Sequence, residues 1–331
     1  MSILVVGSVA LDSIQTPYSR ARDVLGGSAT YFSAAARLYD EPVNLVAIVG
    51  TDFPEQHISF LEDRGINLDG LQIAEGKTFR WSGRYDYDMH SAETLDTQLN
   101  VFATFHPRIP EQYRDAEYVF LANIDPELQL EVLSQVRSPK LTVLDTMNYW
   151  INYQKDKLGE AISAVDIVMI NEAEARQFAN TFSLLRAARK ILSQGPKALV
   201  VKKGEYGSVM FANGDSPTRS FFFSPAYPLE KIQDPTGAGD SFAGGFIGFL
   251  AGRSRAVSHP SSKIDQDDIR RAIVHGSVVA SFTVEGVGLD RLRTLTMEEI
   301  DARYGEFKRF TNFEPTCPWL DECEHLERKI R

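Results

Sequence analysis

The chain has 331 residues, of which 43% are apolar, and a formal net charge of −10. That length and apolar content provide for one large α/β domain or two smaller ones with an ample core. The acidic balance, with no basic stripe to offset it, excludes a general nucleic-acid binder. No run approaches the roughly 18 apolar residues of a membrane span.

In chain order, Ile3 to Val9 is a short β-branched run that predicts a buried parallel strand, ending in Ala10-Leu11-Asp12. In open α/β sheets, ligands sit beyond the carboxyl ends of strands, so Asp12 is a candidate ligand to a substrate hydroxyl, or a loop cap. Residues 14–25 are polar and irregular. Gly26-Gly27-Ser28 then opens a small-residue helix predicted over Ala29 to Leu38, and VNLVAIVGTDF reads as a strand and turn followed by a helix. Between 77 and 104, Phe79, Trp81, Tyr85 and Tyr87 alternate with Arg80, Ser82, Arg84 and Asp86, which predicts a strand with its aromatics on one face. Thr97 to Phe105 is a second candidate strand. The charges on Arg80 and Arg84 are free to meet either substrate or solvent, and solvent is the expectation for at least one.

From Glu117 onward, strands alternate with helices. Tyr118 to Ala122, Leu141 to Leu144 and Ile167 to Ile170 are apolar, and each leads into a polar loop at 123–125, 145–148 and 171–172. This spacing implies βαβ units, with the three loops along one edge of a parallel sheet. Taken alone, Asn171 to Glu174 reads as a helix N-cap with an acidic first turn. Ala198 to Lys202 is another buried strand, followed by Lys203-Gly204-Glu205-Tyr206-Gly207. Residues 253–266 read as an exposed loop, and Ala272 to Thr283 as a helix on which His275 would ordinarily be a packed side chain. Cys317 and Cys323, with only His325 nearby, imply neither a disulfide framework nor a zinc site. With no basic region or cleavage site at the N-terminus, the expectation is a soluble, cytoplasmic protein.

Residues 234–252, DPTGAGDSFAGGFIGFLAG, are the most informative stretch. Pro235, Gly237 and Gly239 make a tight turn, and a helix of small and aromatic residues follows. Gly237, Ala238 and Gly239 carry so little side chain that their amides can approach an anion closely, and the helix directs its free N–H groups and positive dipole end at the same spot. Asp240 in the first turn is placed to take a proton from a hydroxyl beside a phosphate. A plain cap would use the same residue types, but would not need Gly244 and Gly245 on the helix behind. Gly70 to Gly76 does not have Walker spacing, and Gly237-Ala238-Gly239 lacks the third glycine of a dinucleotide fingerprint. Gly239-Asp240-Ser241 imitates the start of a GDS-type serine hydrolase motif, with Glu322 and His325 as a mock base pair. That motif belongs near an N-terminus, so the match lacks its context.

The run D-P-T-G-A-G-D-S-F-A-G-G-F resembles the C-terminal signature of the ribokinase/pfkB family of small-molecule kinases, and the resemblance extends over residues 1–300. It implies a three-layer α/β fold: a mostly parallel central sheet flanked by helices, with a small inserted β-sheet lid. The core would be 1–13, 26–76 and 105–331, and the lid 14–25 and 77–104. By the same resemblance Asp240 is the catalytic base, and Gly237, Ala238 and Gly239 form the anion hole for the transferred phosphoryl group. Asp12, Gly26, Gly27 and Tyr31 would contact substrate, Tyr31 lying where the family usually has an Asn nearby. Asn171 and Glu174 match an Asn-x-x-Glu motif that arranges Mg2+, indirectly, and the ATP phosphates. Lys202 stands where Thr is usual and would face those phosphates. Gly204 and Gly207 would lie beneath the nucleotide, with His275 and Ser277 beside its adenine.

The implied reaction is ATP-dependent transfer of a phosphoryl group to a primary hydroxyl. Nothing basic sits beside Asp12 to hold a sugar phosphate, which puts a neutral sugar first and a nucleoside second; the aromatic lid and Tyr31-Phe32 would suit a base. A ligand-sensing relative without activity is disfavoured by the intact Asp240. The resemblance leaves room for a monovalent cation and for a homodimer formed through the lid.

Overall fold

The computed structural model describes residues 2–39, 42–213, 220–256 and 264–311. Its strands form two sheets. The larger has nine strands in the order β13-β12-β11-β10-β9-β8-β1-β4-β5. Here β1 is Ile3–Val6, β4 Val43–Gly50, β5 Ile66–Ala74, β8 Tyr118–Leu121, β9 Leu141–Asp145, β10 Ile167–Asn171, β11 Ala198–Lys202, β12 Ser208–Ala212 and β13 Phe221–Ser224. From β11 to β5 every pairing is parallel, while β12 and β13 add an antiparallel edge.

The central strands are apolar throughout because both faces are covered. Alternation along β1 sends Ile3 and Val5 to one side and Leu4 and Val6 to the other, and these four belong to two separate cores. The first core packs under α1 (Ser28–Ala36), α8 (Ala238–Ala256) and α9 (Gln266–Thr283), with Phe32 stacked on Phe120 at 4.3 Å. The second lies under α3 (Pro126–Gln135), α5 (Lys155–Ser163), α6 (Glu172–Ala179) and α7 (Leu184–Leu192). The result is the three-layer architecture anticipated above. All the parallel strands except β5 and β4 end on the loops at 7–9, 122–125, 146–147 and 203–207, along one rim, where α6 also begins.

The smaller sheet runs β3-β2-β6-β7, with β2 Ala10–Gln15, β3 Arg20–Gly26, β6 Arg80–Tyr85 and β7 Ala92–Gln98. Residues 14–25, which looked irregular, belong largely to the β2–β3 hairpin. Asp12 is therefore not on a loop after β1: it lies within β2, between the buried Leu11 and the partly exposed Ser13. The strand expected over Thr97 to Phe105 is also corrected. The strand occupies 92–98, and Asn100–Thr104 is a 3-10 helix whose Phe102 stacks between Phe79, at 5.2 Å, and Phe105, at 5.7 Å. Those aromatics are satisfied by packing on one another, not by strand pairing.

Trp81, Gly83 and Tyr85 alternate onto one face of β6, as expected, with the Trp81 ring over Gly83, and Tyr87 lies beyond the strand end. The β6–β7 register shifts between Ser82 and Gly83 because β7 carries one extra residue, Leu95, so the alternation of β6 itself continues. Tyr85 turns inward, whereas Tyr87 is 83% exposed. Arg80 ties the sheet to the core through Asp52 at 2.8 Å, and Arg84 pairs with Glu93 at the surface.

Candidate active site

The turn before α8 is held by Asp234, which is only 1% exposed. Its two carboxylate oxygens accept from the amides of Thr236 and Gly288, each at 2.9 Å. Gly237 follows at φ 75°, in the left-handed region, and a Cβ there would fall inside the ring of Tyr31. The first α-helical bond runs from the Ser241 amide to the Gly237 carbonyl at 2.8 Å. The Ala238 amide, expected to face an anion, instead donates to the Pro235 carbonyl at 3.2 Å, because the tight turn folds it back. The amides of Gly239 and Asp240 have no backbone acceptor among the described residues, so the open donors of this helix end are those two.

Asp240 is partly exposed at the floor of this rim. The protein around it pushes its pKa up to about 7 chiefly by burial; Asp145 adds to the rise and Lys202 opposes it. Lys202 projects from the end of β11 and donates to Asp145 Oδ2 at 2.5 Å. Burial works against its charge, but Asp145, Asp240 and Glu174 more than offset this and raise its pKa. Its Nζ lies 3.1 Å from where a Cβ on Gly239 would stand, so the ammonium faces the glycine turn.

Asn171 and Glu174 form a reciprocal capping box on α6. The Glu174 amide donates to Asn171 Oδ1 at 2.8 Å, and the Asn171 amide to Glu174 Oε2 at 3.1 Å. The capping reading thus holds, and it also fixes Glu174 beside the ion pair. Burial first, then Asp145, pushes Glu174 up to about 7.

Asp12 lies across the glycine turn and is 4% exposed. Burial is the main cause of a pKa pushed up to about 7; the Gly27 amide opposes it, and Asp234 and Asp240 add to it. The Asp12 carboxylate occupies the space that a Gly26 side chain would need, and Gly27, at φ 95°, lies against the Ser8 carbonyl. These two glycines therefore let β3 and α1 close on β2. Tyr31 is 1% exposed and its ring underlies the turn against Gly237; its hydroxyl has no hydrogen-bond partner among the described residues, and burial first, then Asp12, Asp234 and Asp240, raise its pKa.

The small sheet reaches both ends of the rim. Thr236 Oγ1 donates to Tyr85 Oη at 3.2 Å. At the other end, His90 in the β6–β7 turn lies 3.1 Å from Glu205 and stacks on Tyr206 at 5.8 Å. Gly204 and Gly207, both at positive φ, shape the loop on which this tip rests.

His275 does not border an open nucleotide cleft. Its ring is sandwiched between Phe249, at 4.0 Å, and Tyr304, at 4.6 Å, and shares a hydrogen bond with Tyr39. Burial alone lowers its pKa to about 4, as expected for a packed neutral imidazole. Ser241 is fully buried and its hydroxyl has no partner among the described residues, so it is not an exposed nucleophile. The mock base pair Glu322 and His325, and both cysteines, lie outside the described residues.

Sequence reasoning passed over three members of the site: Asp145, Asp234 and Tyr85. For Asp145 the signal was its place at the carboxyl end of a buried parallel strand. Asp234 opens the glycine stretch itself. Tyr85 had only an aromatic strand pattern, which does not show that its hydroxyl meets Thr236.

Comparison with known proteins bears on this arrangement. A cytidine kinase of Thermococcus kodakarensis is 34% identical over 259 residues, covering 77% of this chain and 89% of that one. A nucleoside kinase of Methanocaldococcus jannaschii is 25% identical over 285 residues, covering 83% of each. A ribokinase structure from Giardia lamblia superposes with a TM-score of 0.76 at 20% identity, covering 92% of this chain and 99% of that one, and shares the fold. The profile described as pfkB family carbohydrate kinase matches residues 2–294, and the chain belongs to that family.

Proposed function

We propose that this protein is an ATP-dependent nucleoside kinase that transfers a phosphoryl group to the primary hydroxyl of its acceptor. The observation that carries the reading is the meeting of Asp240, the open amides of Gly239 and Asp240, and the Lys202 ammonium at one helix N-terminus. Asp12 orients the acceptor by accepting from its hydroxyls. Asp240 takes the proton of the attacking hydroxyl, whose oxygen forms the new P–O bond as the bond to the ADP leaving oxygen breaks. The two amides and Lys202 hold the charge on the transferred group.

The donor set suits a hydrated magnesium ion. Glu174 and Asp240 supply hard oxygens beside the Lys202–Asp145 pair, yet among the described residues no group of three is close enough to chelate a metal. Glu174, braced by Asn171, would hold the ion through water. A magnesium ion held there would supply neutralising charge to the ATP phosphates.

Two features favour a nucleoside over the neutral sugar put first on sequence grounds. The Thermococcus relative is named a cytidine kinase. In addition, Trp81 of β6 is in backbone register with Asp12 of β2, and its indole lies over Gly83 on the same small sheet, which supplies an aromatic surface for a base. Assay of ATP-dependent transfer to cytidine, other nucleosides, ribose and hexoses tests this. Nucleosides should exceed free sugars in kcat/KM by about tenfold or more. A free sugar that outruns every nucleoside would replace the acceptor class, and silence with all acceptors would overturn the kinase reading.

A further inference from the structure

Side chains from three neighbouring strand ends converge beside the glycine turn. Asp145 closes β9, Asn171 closes β10 and Lys202 closes β11, with Met169 in register with Asp145 and Asn171 with Lys202. Lys202 therefore leans over the end of β10 to reach Asp145 Oδ2 at 2.5 Å. The other oxygen, Oδ1, accepts from the Thr146 amide at 2.9 Å, which fixes the carboxylate. The Asp145 side chain is 5% exposed and that of Lys202 19%. Desolvating such a pair is unfavourable, and packing alone gives no reason for it where the neighbours Leu144 and Val201 are apolar. On its far side the ammonium faces Gly239, 3.1 Å from that residue's Cβ position.

We propose that Asp145 is a positioning residue for phosphoryl transfer, holding the Lys202 ammonium against the open amides of the glycine turn so that the transferred group meets a fixed cation there. The assignment rests on the kinase reading above. A free lysine is a charge on a flexible four-carbon stem. Asp145 orders it beforehand, so little reorganisation is needed as charge develops. One of the three ammonium donors is taken by Asp145, which leaves two for phosphoryl oxygens. Asp145 does not touch the transferred group and acts only through Lys202.

The test compares wild type with Asp145→Asn, Lys202→Met and the charge-balanced double variant. Binding of ADP and of the non-hydrolysable analogue AMPPNP is measured by titration calorimetry, steady-state transfer is measured alongside, and folding is checked by thermal melts. Wild type should prefer AMPPNP. Each single variant should lose most of that preference and about 100-fold in kcat, with acceptor KM within about twofold. The double variant should be no worse than Lys202→Met, because Asp145 has nothing left to position. Asp145→Asn costing as much in the Lys202→Met background as in wild type would overturn the proposal, as would single variants indistinguishable from wild type. Should Asp145→Asn not fold, equal losses in Lys202→Met and the double variant still support it, and a further loss in the double overturns it. A wild-type protein that binds neither nucleotide would overturn the kinase reading and this assignment with it. Binding that all variants share would overturn this assignment alone.

Discussion

Thr236, one residue before the glycine turn opens, donates its hydroxyl to Tyr85 of the small sheet at 3.2 Å. The strand that carries the inward-facing tyrosine is thereby tied to the loop that would hold the transferred phosphoryl group. With the contact of His90 on Glu205 and Tyr206, this gives the small sheet a clasp at each end of the rim.

These clasps should act on acceptor retention. His90→Ala and Tyr85→Phe are expected to leave thermal stability within about 0.5 kcal/mol of wild type, since both touch loops. Acceptor KM should rise about three- to tenfold, and ATP hydrolysis without acceptor should increase. Unchanged KM and hydrolysis in the paired variant would remove the clasps from the cycle.

Asp240→Asn should fold and lose at least about 100-fold in kcat. In wild type, activity should rise with pH on the acid side with an apparent pKa near 7, as Asp240 gives up its proton. Asp240→Asn retaining near wild-type turnover would refute its role as base.

The same carboxylates shape stability. Asp12, Asp240 and Glu174 all have folded-state values of about 7, against 3.8 to 4.5 for ordinary carboxylates. Between those limits the folded chain holds protons that the unfolded chain releases, so stability is greatest below about pH 4 as far as these groups decide it, and falls as pH rises through 7. Asp240→Asn should therefore be more stable than wild type at pH 8, on the order of 1–3 kcal/mol, and similar at pH 4. Melting curves at the two pH values check this; an advantage that is larger at pH 4 would contradict it.

Two glycines of the turn should respond oppositely. Gly237→Ala combines a positive φ with a clash into Tyr31, and should destabilise by about 2–4 kcal/mol. Gly239→Ala lies in the first helical turn and should fold normally, yet lose about 10- to 100-fold in activity by crowding Lys202. Denaturant melts and initial rates on both variants separate the two effects.

Ser241→Ala removes a buried hydroxyl that has no partner among the described residues. It should leave transfer activity unchanged and stability equal or slightly higher. A variant that loses activity would return attention to the hydrolase reading.

Much of this site was legible because its chemistry is local in the chain. DPTGAGD contains its own turn, helix start and carboxylate, and the short apolar strands declared their parallel sheet. What escaped depends on distance. Asp145 matters because Lys202, 57 residues on, leans over an intervening strand to meet it. His275 matched a nucleotide-site position, but aromatic rings from α8 and the later helix Met297–Thr311 enclose it. Asp12 was sensed as a ligand but assigned to the wrong element, because a three-residue gap between β1 and β2 leaves no break in the apolar pattern.

The placement of Asp12 on β2 has one more consequence. Any opening of the small sheet withdraws the carboxylate that would hold the acceptor hydroxyl, so acceptor binding and closure form a single equilibrium. The apparent acceptor Kd then equals the intrinsic value divided by the fraction of molecules already closed. Affinity for the acceptor can thus drift over evolution through residues that never meet it, such as Glu205 at the far clasp, while the pocket itself stays unaltered.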